Sequence, residues 1–297
     1  MCSFGSLAGA SLTDASGSTG TAGSSATSRA HGPATSAAKA RRWGAFYYAE
    51  QVLKVLWSYG FSILMYSVGQ PIAYLFAMGV GLATLVDSTA AFGGVSYLAF
   101  IAPALLVSAA VMTAANEFTF PVMAGFKWRR TYYGPHASPL TPEQIAAGHI
   151  IAVTLRLLLQ AAIYFVAVAL FGASPGGWGW VSILVATLAG LSFGLPLMAY
   201  SASITEDKGQ FALVMRFIVM PLFLFSGTFF PLETLPLAVR WIGWISPIWH
   251  GTELGRVFTY GYQEPPVLTL LHVLVLLALA VLGWLLTRQQ FVKRMGQ

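Results

Sequence analysis

Charge is scarce in this chain: 9% of its 297 residues are Asp, Glu, Lys or Arg, while 57% are hydrophobic. A soluble domain carries roughly 25% charged residues, so the composition is that of an integral membrane protein. Cysteine is almost missing. Cys2 stands alone, which excludes an internal disulfide framework and a Cys-based metal cluster. No GxxxxGK[ST] run is present to cradle a nucleotide triphosphate, and neither HExxH nor CxxC occurs. A GxSxG nucleophile elbow is not expected either. His136, His149, His250 and His272 are too scattered along the chain to imply a metal site. No catalytic residue and no metal ligand is therefore expected, and any energy source is an ion gradient or a separate subunit. The net charge of +6 does not point to nucleic acid. The basic residues cluster at the ends of apolar runs, which fits anionic lipid and topology control.

What is present begins with a low-complexity stretch. Residues 1–40 are mostly Ser, Ala, Gly and Thr, without an apolar run or periodicity, and read as a disordered tail. An alternative is a start codon assigned too far upstream. The remainder, 41–297, reads as one transmembrane domain. Six apolar stretches have the length that crosses a hydrocarbon core, near 61–83, 95–117, 149–171, 180–202, 211–230 and 267–287. The expected fold is thus an all-α integral membrane protein with six transmembrane helices.

The connections alternate in basic content. Arg29, Lys39, Arg41, Arg42 and Lys54 precede the first span. Lys127, Arg129 and Arg130 follow the second, Lys208 follows the fourth, and Arg288, Lys293 and Arg294 follow the sixth. The other connections hold only Arg240 and Arg256. The positive-inside rule then predicts a multi-pass protein of the cell membrane with both termini cytoplasmic.

Residues 43–60 place Phe46, Leu53 and Trp57 on one helical face, with Glu50 and Lys54 four apart on another. They read as an amphipathic helix on the cytoplasmic leaflet. Gln70-Pro71 predicts a kink inside the first span. Between spans two and three, Phe126, Lys127, Trp128, Arg129, Arg130, Tyr132 and Tyr133 form a dense cationic–aromatic cluster. It reads either as a protein contact or as a basic loop held on anionic lipid. Further on, Thr141, Pro142 and Gln144 match a capping box and start a helix that runs into the third span.

The stretch Ser226–Arg256, SGTFFPLETLPLAVRWIGWISPIWHGTELGR, is too aromatic for a solvated loop. It is also too broken by Pro231, Pro236 and Pro247 to span as a helix. It predicts short helices dipping into the outer face, where irregular backbone is tolerated only beside protein or a wet cavity. Transport is the function this implies.

Glu117 is positioned to pair with Arg156 on the adjoining span, and with Arg216 both fall near span ends, where long side chains snorkel. Three readings follow: a permease driven by a partner motor, an ion-gradient-driven secondary transporter, and a membrane-embedded enzyme. The last would draw on Asp87, Glu233, His250 and Glu253, with His250 and Glu253 three apart on one helical face. His272, at the start of the last span, reads as an interfacial residue. Phe76, Met78, Phe217, Met220 and Phe223 are candidates to line a greasy path.

Taken in order, the amphipathic helix, the loop 126–148 with SPLTPEQIAAG, and the elements SGTFFPLETLP and SPIWH resemble the membrane subunit of an ABC-2 type exporter. The likeness extends to its lipo-oligosaccharide (nodulation-factor) and drug exporters and covers the chain from about residue 45 onward. The resemblance implies two six-span subunits, this chain and a second copy or a relative. It implies a cytoplasmic ABC ATPase subunit that holds ATP and Mg, so that this chain binds no cofactor. It places the ATPase-coupling contact on residues 124–134, and outward re-entrant helices at about 231–250. The gate there would include Gly227, Pro231, Glu233, Pro247, His250 and Glu253. Gly134-Pro135-His136 departs from the pattern, and the long N-terminal tail lies outside it. Cargo of an amphipathic kind, a lipid-linked saccharide, glycolipid or hydrophobic drug, would suit such a path.

Overall fold

A computed structural model describes residues 33–58, 60, 65, 69–77, 81, 92 and 94–296. Most of the expected first span, 61–83, lies outside the described residues, as do Met78, Asp87 and the greater part of the N-terminal tail. Among the described residues the chain is all-helical, with no strand. The elements are α1 (Pro33–Ser58), α2 (Gln70–Phe76), α3 (Tyr97–Glu117), α4 (Phe120–Lys127), α5 (Tyr133–His136), α6 (Pro142–Leu170) and α7 (Val181–Ser203). They continue with α8 (Gln210–Val214), a π-helical turn (Met215–Val219), α9 (Met220–Phe225), α10 (Leu237–Trp244), α11 (Pro247–Tyr260) and α12 (Pro266–Met295).

Among the described residues four helical stretches are long and apolar enough to cross a membrane: Tyr97–Lys127, Pro142–Leu170, Val181–Ser203 and Pro266–Met295. The expected fifth span is a shorter apolar helix, Gln210–Phe225, wound as α8, the π turn and α9. Its π turn ends directly before Met220-Pro221, where proline lacks the N–H that an α-helical ladder needs.

Helix α7 lies at the centre, packed against α3, α11, α12 and α6. Its sequence, rich in Ala, Gly and Ser, lets backbones approach closely, which is how apolar helices gain contact in a medium as greasy as themselves. Gly283 of α12 shows this. A Cβ there would lie 2.4 Å from Pro196 Cδ of α7. Thr287, one turn on, donates to the Leu195 carbonyl at 3.1 Å, beside that proline. Helix α11 seats equally tightly, since a Cβ on Gly251 would meet Val107 of α3 at 2.8 Å and Ala189 of α7 at 2.9 Å.

The capping box expected at Thr141 is present. Gln144 N donates to Thr141 Oγ1 at 3.3 Å, and the Thr141 backbone N–H donates to Gln144 Oε1 at 3.0 Å. With Pro142 in the first turn, this starts α6 well before its apolar stretch. Helix α1 begins at Pro33, inside the stretch read as low-complexity. It packs on α6 by burying Tyr48 and Ala49. Trp43, Phe46, Tyr47 and Trp57 are left exposed, and Lys54 pairs with Glu50 at 2.7 Å.

Candidate functional site

The segment between α9 and α12 is built around a turn at Ser226–Phe229. Gly227 has φ +72°, a left-handed conformation that glycine adopts without a Cβ clash. Two elements hold this turn, α11 with its N-cap and α3. Arg256 of α11 donates to the Gly227 carbonyl at 2.7 Å. Ser226 donates to Ser246 Oγ at 2.6 Å. Ser108 of α3 meets Thr228 at 3.4 Å, and the Tyr97 hydroxyl donates to the Phe229 carbonyl at 3.4 Å. Ser246 also caps α11 by accepting from Ile248 N at 3.1 Å, with Pro247 at a position whose missing N–H costs nothing.

Arg256 is almost wholly buried, at 2% exposure. Its guanidinium bonds Glu253 at 2.6 Å and stacks 3.8 Å from the centre of the Phe100 ring. A buried cation is tolerable only with such partners. The bonds of Glu253 and His250 differ from the acid–base pairing their spacing allowed. Glu253 is committed to Arg256, whereas His250 turns to α12, its Nδ1 2.6 Å from His272 Nδ1 and its Nε2 3.0 Å from the Trp244 carbonyl. His272, near the start of α12, is fully buried against protein, and its Nε2 lies 2.9 Å from Glu264 Oε1. Glu233 is exposed and Pro231 half-buried beside α10, while Pro247 is buried. Trp241 and Trp244 stay exposed on α10, as suits a headgroup-level boundary. Tyr262, in the connection after α11, has its pKa raised by burial and by the neighbouring Glu253 and Glu233 carboxylates, against the opposing pull of Arg256.

At the opposite end of the bundle, α4 and α5 divide the cationic–aromatic cluster in two. Phe126 and Tyr132 are buried. They stack with ring centres 4.7 Å apart, and Phe291 of α12 meets them edge-on at 4.8 and 5.2 Å. A Cβ on Gly125 would strike the Tyr132 ring at 2.4 Å. Burial holds the Tyr132 hydroxyl in its neutral form, its pKa pushed well up. Trp128, Arg129, Arg130 and Tyr133 are exposed, with Lys127 partly so. Arg130 has φ +49°, a conformation most side chains avoid. Behind this loop Glu117 and Arg156 form an ion pair between α3 and α6.

Phe217 and Met220 are exposed, as is Phe76, while Phe223 packs against Phe229 at 5.2 Å. The run Gly190-Leu191-Ser192-Phe193-Gly194 does match GxSxG. It lies mid-helix in α7, and Ser192, 1% exposed, donates to the Ala189 carbonyl at 2.8 Å. The strand-to-helix elbow that exposes a nucleophile is not there. Among the described residues no three His, Cys, Asp or Glu side chains converge on a metal position.

Residues that sequence reasoning did not single out as site residues are Arg256, Glu264, Phe291 and Arg294. Only Arg256 carried a local signal, its i,i+3 spacing from Glu253.

The chain is similar to several nodulation proteins J. That of Rhizobium leguminosarum bv. viciae is 27% identical over 77% of this chain and 86% of its own. The protein of Rhizobium meliloti (strain 1021) is 27% identical over 77% and 85%. That of Rhizobium leguminosarum bv. trifolii is 28% identical over 67% and 74%. The family model of the ABC-2 type transporter matches residues 41–260, from α1 through the end of α11. This chain, with its apolar helical bundle, belongs to the ABC-2 type transporter family.

Proposed function

We propose that this chain is the membrane-spanning permease subunit of an ATP-driven exporter, paired with a second copy or a relative and driven by a cytoplasmic ABC ATPase. The observation that carries this reading is the split of the α4–α5 loop. Phe126 and Tyr132 anchor it to α12, and Trp128, Arg129, Arg130 and Tyr133 are presented outward. Exposed aromatic and Arg side chains on a braced scaffold are what a protein partner binds.

Lys127, Arg129, Arg130, Lys208, Arg288, Lys293 and Arg294 lie at the same end of the helices, and by the basic-residue rule this end faces the cytoplasm. The short helices α10 and α11 then lie at the outer side as a re-entrant lid. Gln210–Phe225 and the stretch near 61–83 complete six spans. The cargo in this reading is an amphipathic saccharide-bearing lipid or a similarly greasy molecule, as the resemblance to lipo-oligosaccharide exporters implies. ATP binding at the partner supplies the difference in free energy between the states of the path.

The experiment is co-purification with a candidate ABC ATPase, for wild type and for the triple variant Trp128→Ala, Arg129→Ala, Arg130→Ala. A stable wild-type complex that the variant fails to form is expected. An unchanged complex whose ATPase rate responds to cargo as before overturns the coupling assignment.

A further inference from the structure

Buried imidazoles in contact with each other are constrained by their outer partners. His250 Nε2 faces the Trp244 carbonyl at 3.0 Å, and a carbonyl only accepts, so Nε2 carries hydrogen. A neutral His250 then has a bare Nδ1, and the 2.6 Å contact requires hydrogen on His272 Nδ1. The other nitrogen of His272 lies 2.9 Å from Glu264 Oε1. That contact needs a proton too, whether on the imidazole or on the carboxyl. Thr269 donates to the second carboxyl oxygen, Glu264 Oε2, at 3.2 Å. Every bond in the chain Trp244–His250–His272–Glu264 is therefore made only when the cluster holds one proton beyond two neutral imidazoles and a carboxylate.

We propose that His250, His272 and Glu264 form a one-proton latch that holds α11 and the end of α10 against α12, and that loss of this proton releases them. Removing the proton leaves two lone pairs opposed at one contact, and changing tautomers only moves the conflict to another. A second proton on Glu264 leaves these contacts in place, but one on His250 sets two N–H groups against each other between His250 and His272. The latch therefore closes over an intermediate pH range and loosens on both sides.

Among the described residues, the other charged and titratable groups at this end have partners or positions of their own. Glu253 and Arg256 of α11 are bonded to each other, with Arg256 also on the Gly227 carbonyl. Arg240 of α10 donates to the carbonyls of Leu235 and Glu233. Glu233 itself is exposed, Tyr260 and Tyr262 flank the α11–α12 connection, and Tyr97 of α3 bonds the Phe229 carbonyl. Helix α7 contributes no charged residue. Trp249 closes the cluster, its ring centre 5.0 Å from His250 and 4.8 Å from His272.

As a gating device the latch rests on the lid reading proposed above, whereas the proton site stands on the chain alone. The test uses the full chain in lipid nanodiscs with no ATPase present, so its outcome is separate from that of the coupling experiment. Hydrogen exchange of the α10–α11 amides, corrected for intrinsic exchange chemistry, is followed against pH. Wild-type protection is expected to peak at intermediate pH and fall about tenfold on either side, the scale of one lost charge-assisted hydrogen bond. Glu264→Gln is the discriminating variant, because its amide N–H supplies the hydrogen that His272 Nε2 needs. It is expected to keep protection at high pH and to lose it only in acid. Wild-type protection that ignores pH, or a Glu264→Gln profile like that of wild type, overturns the proposal. Nitrogen-15 histidine spectra of the unsubstituted chain read the same site. Coupling across the Nδ1–Nδ1 bond that vanishes as protection falls supports the latch, and two rings that titrate independently overturn it.

Discussion

The Arg294 guanidinium lies 4.6 Å from the centre of the Phe126 ring, and the same group donates to the Ile204 carbonyl at 2.7 Å and to the Ala202 carbonyl. One side chain near the end of α12 thus joins the braced half of the α4–α5 loop to the C-terminal end of α7. The charge suits that place, because the last carbonyls of a helix carry its negative pole.

Arg294→Ala is expected to cost about 2–4 kcal/mol, combining a lost cation–π contact with lost charge-assisted hydrogen bonds. Thermal unfolding of the purified chain measures the loss. Limited proteolysis should show faster cleavage between Trp128 and Leu140. Arg294→Lys should recover only part, because an ammonium cannot both stack flat on Phe126 and fork to two carbonyls.

Arg256→Met is expected to destabilise by about 3–5 kcal/mol, since it leaves Glu253 buried without its partner. The double variant Glu253→Gln, Arg256→Met should be markedly more stable than the single one, although it too loses the bond to the Gly227 carbonyl. A double-mutant cycle in denaturant checks this. Equal stabilities for the single and double variants would show that Glu253 is not the source of the cost.

Gly283→Ala is expected to cost about 1–3 kcal/mol, the usual range for overpacking a close-packed contact. The new methyl would meet both Pro196 and the Leu195 side chain of α7, and a proline ring cannot rotate away. The measurement is the unfolding midpoint, with Ala280→Gly on the same helix as the control for propensity.

Thr141→Ala removes one half of the capping box and is expected to cost about 1 kcal/mol. The effect should be local. Hydrogen exchange should rise in the first turn of α6, at Gln144 and Ile145, and stay unchanged beyond His149.

The parts of the fold legible in the sequence are those set by short-range chemistry. Thr141, Pro142 and Gln144 specify a helix start within four residues of chain, and that start is where α6 begins. Four of the apolar runs are long helices because only a helix satisfies its own backbone in an apolar medium. Local spacing misled at His250. It set Glu253 on the same face, but the ring's partners, Trp244 and His272, lie on other elements. The aromatic cluster at 126–133 was visible as composition, yet nothing in its composition separates Phe126 and Tyr132, which are buried, from Trp128 and Tyr133, which are not.

The sequence by itself determined that this is a helical membrane protein, where its long apolar helices run, and that Pro231, Pro236 and Pro247 break the segment before the last of them. Hydropathy, proline and capping act within a few residues, so they need no knowledge of the rest of the chain. Only the tertiary structure decided what each polar side chain does. Gly251 lets α11 press against Val107 and Ala189, and that close approach sets the face on which His250 meets His272 and Arg256 meets the Gly227 carbonyl. Once water is excluded there, each buried charge or imidazole must take whatever partner the packing brings within reach, and no spacing along the chain encodes that choice.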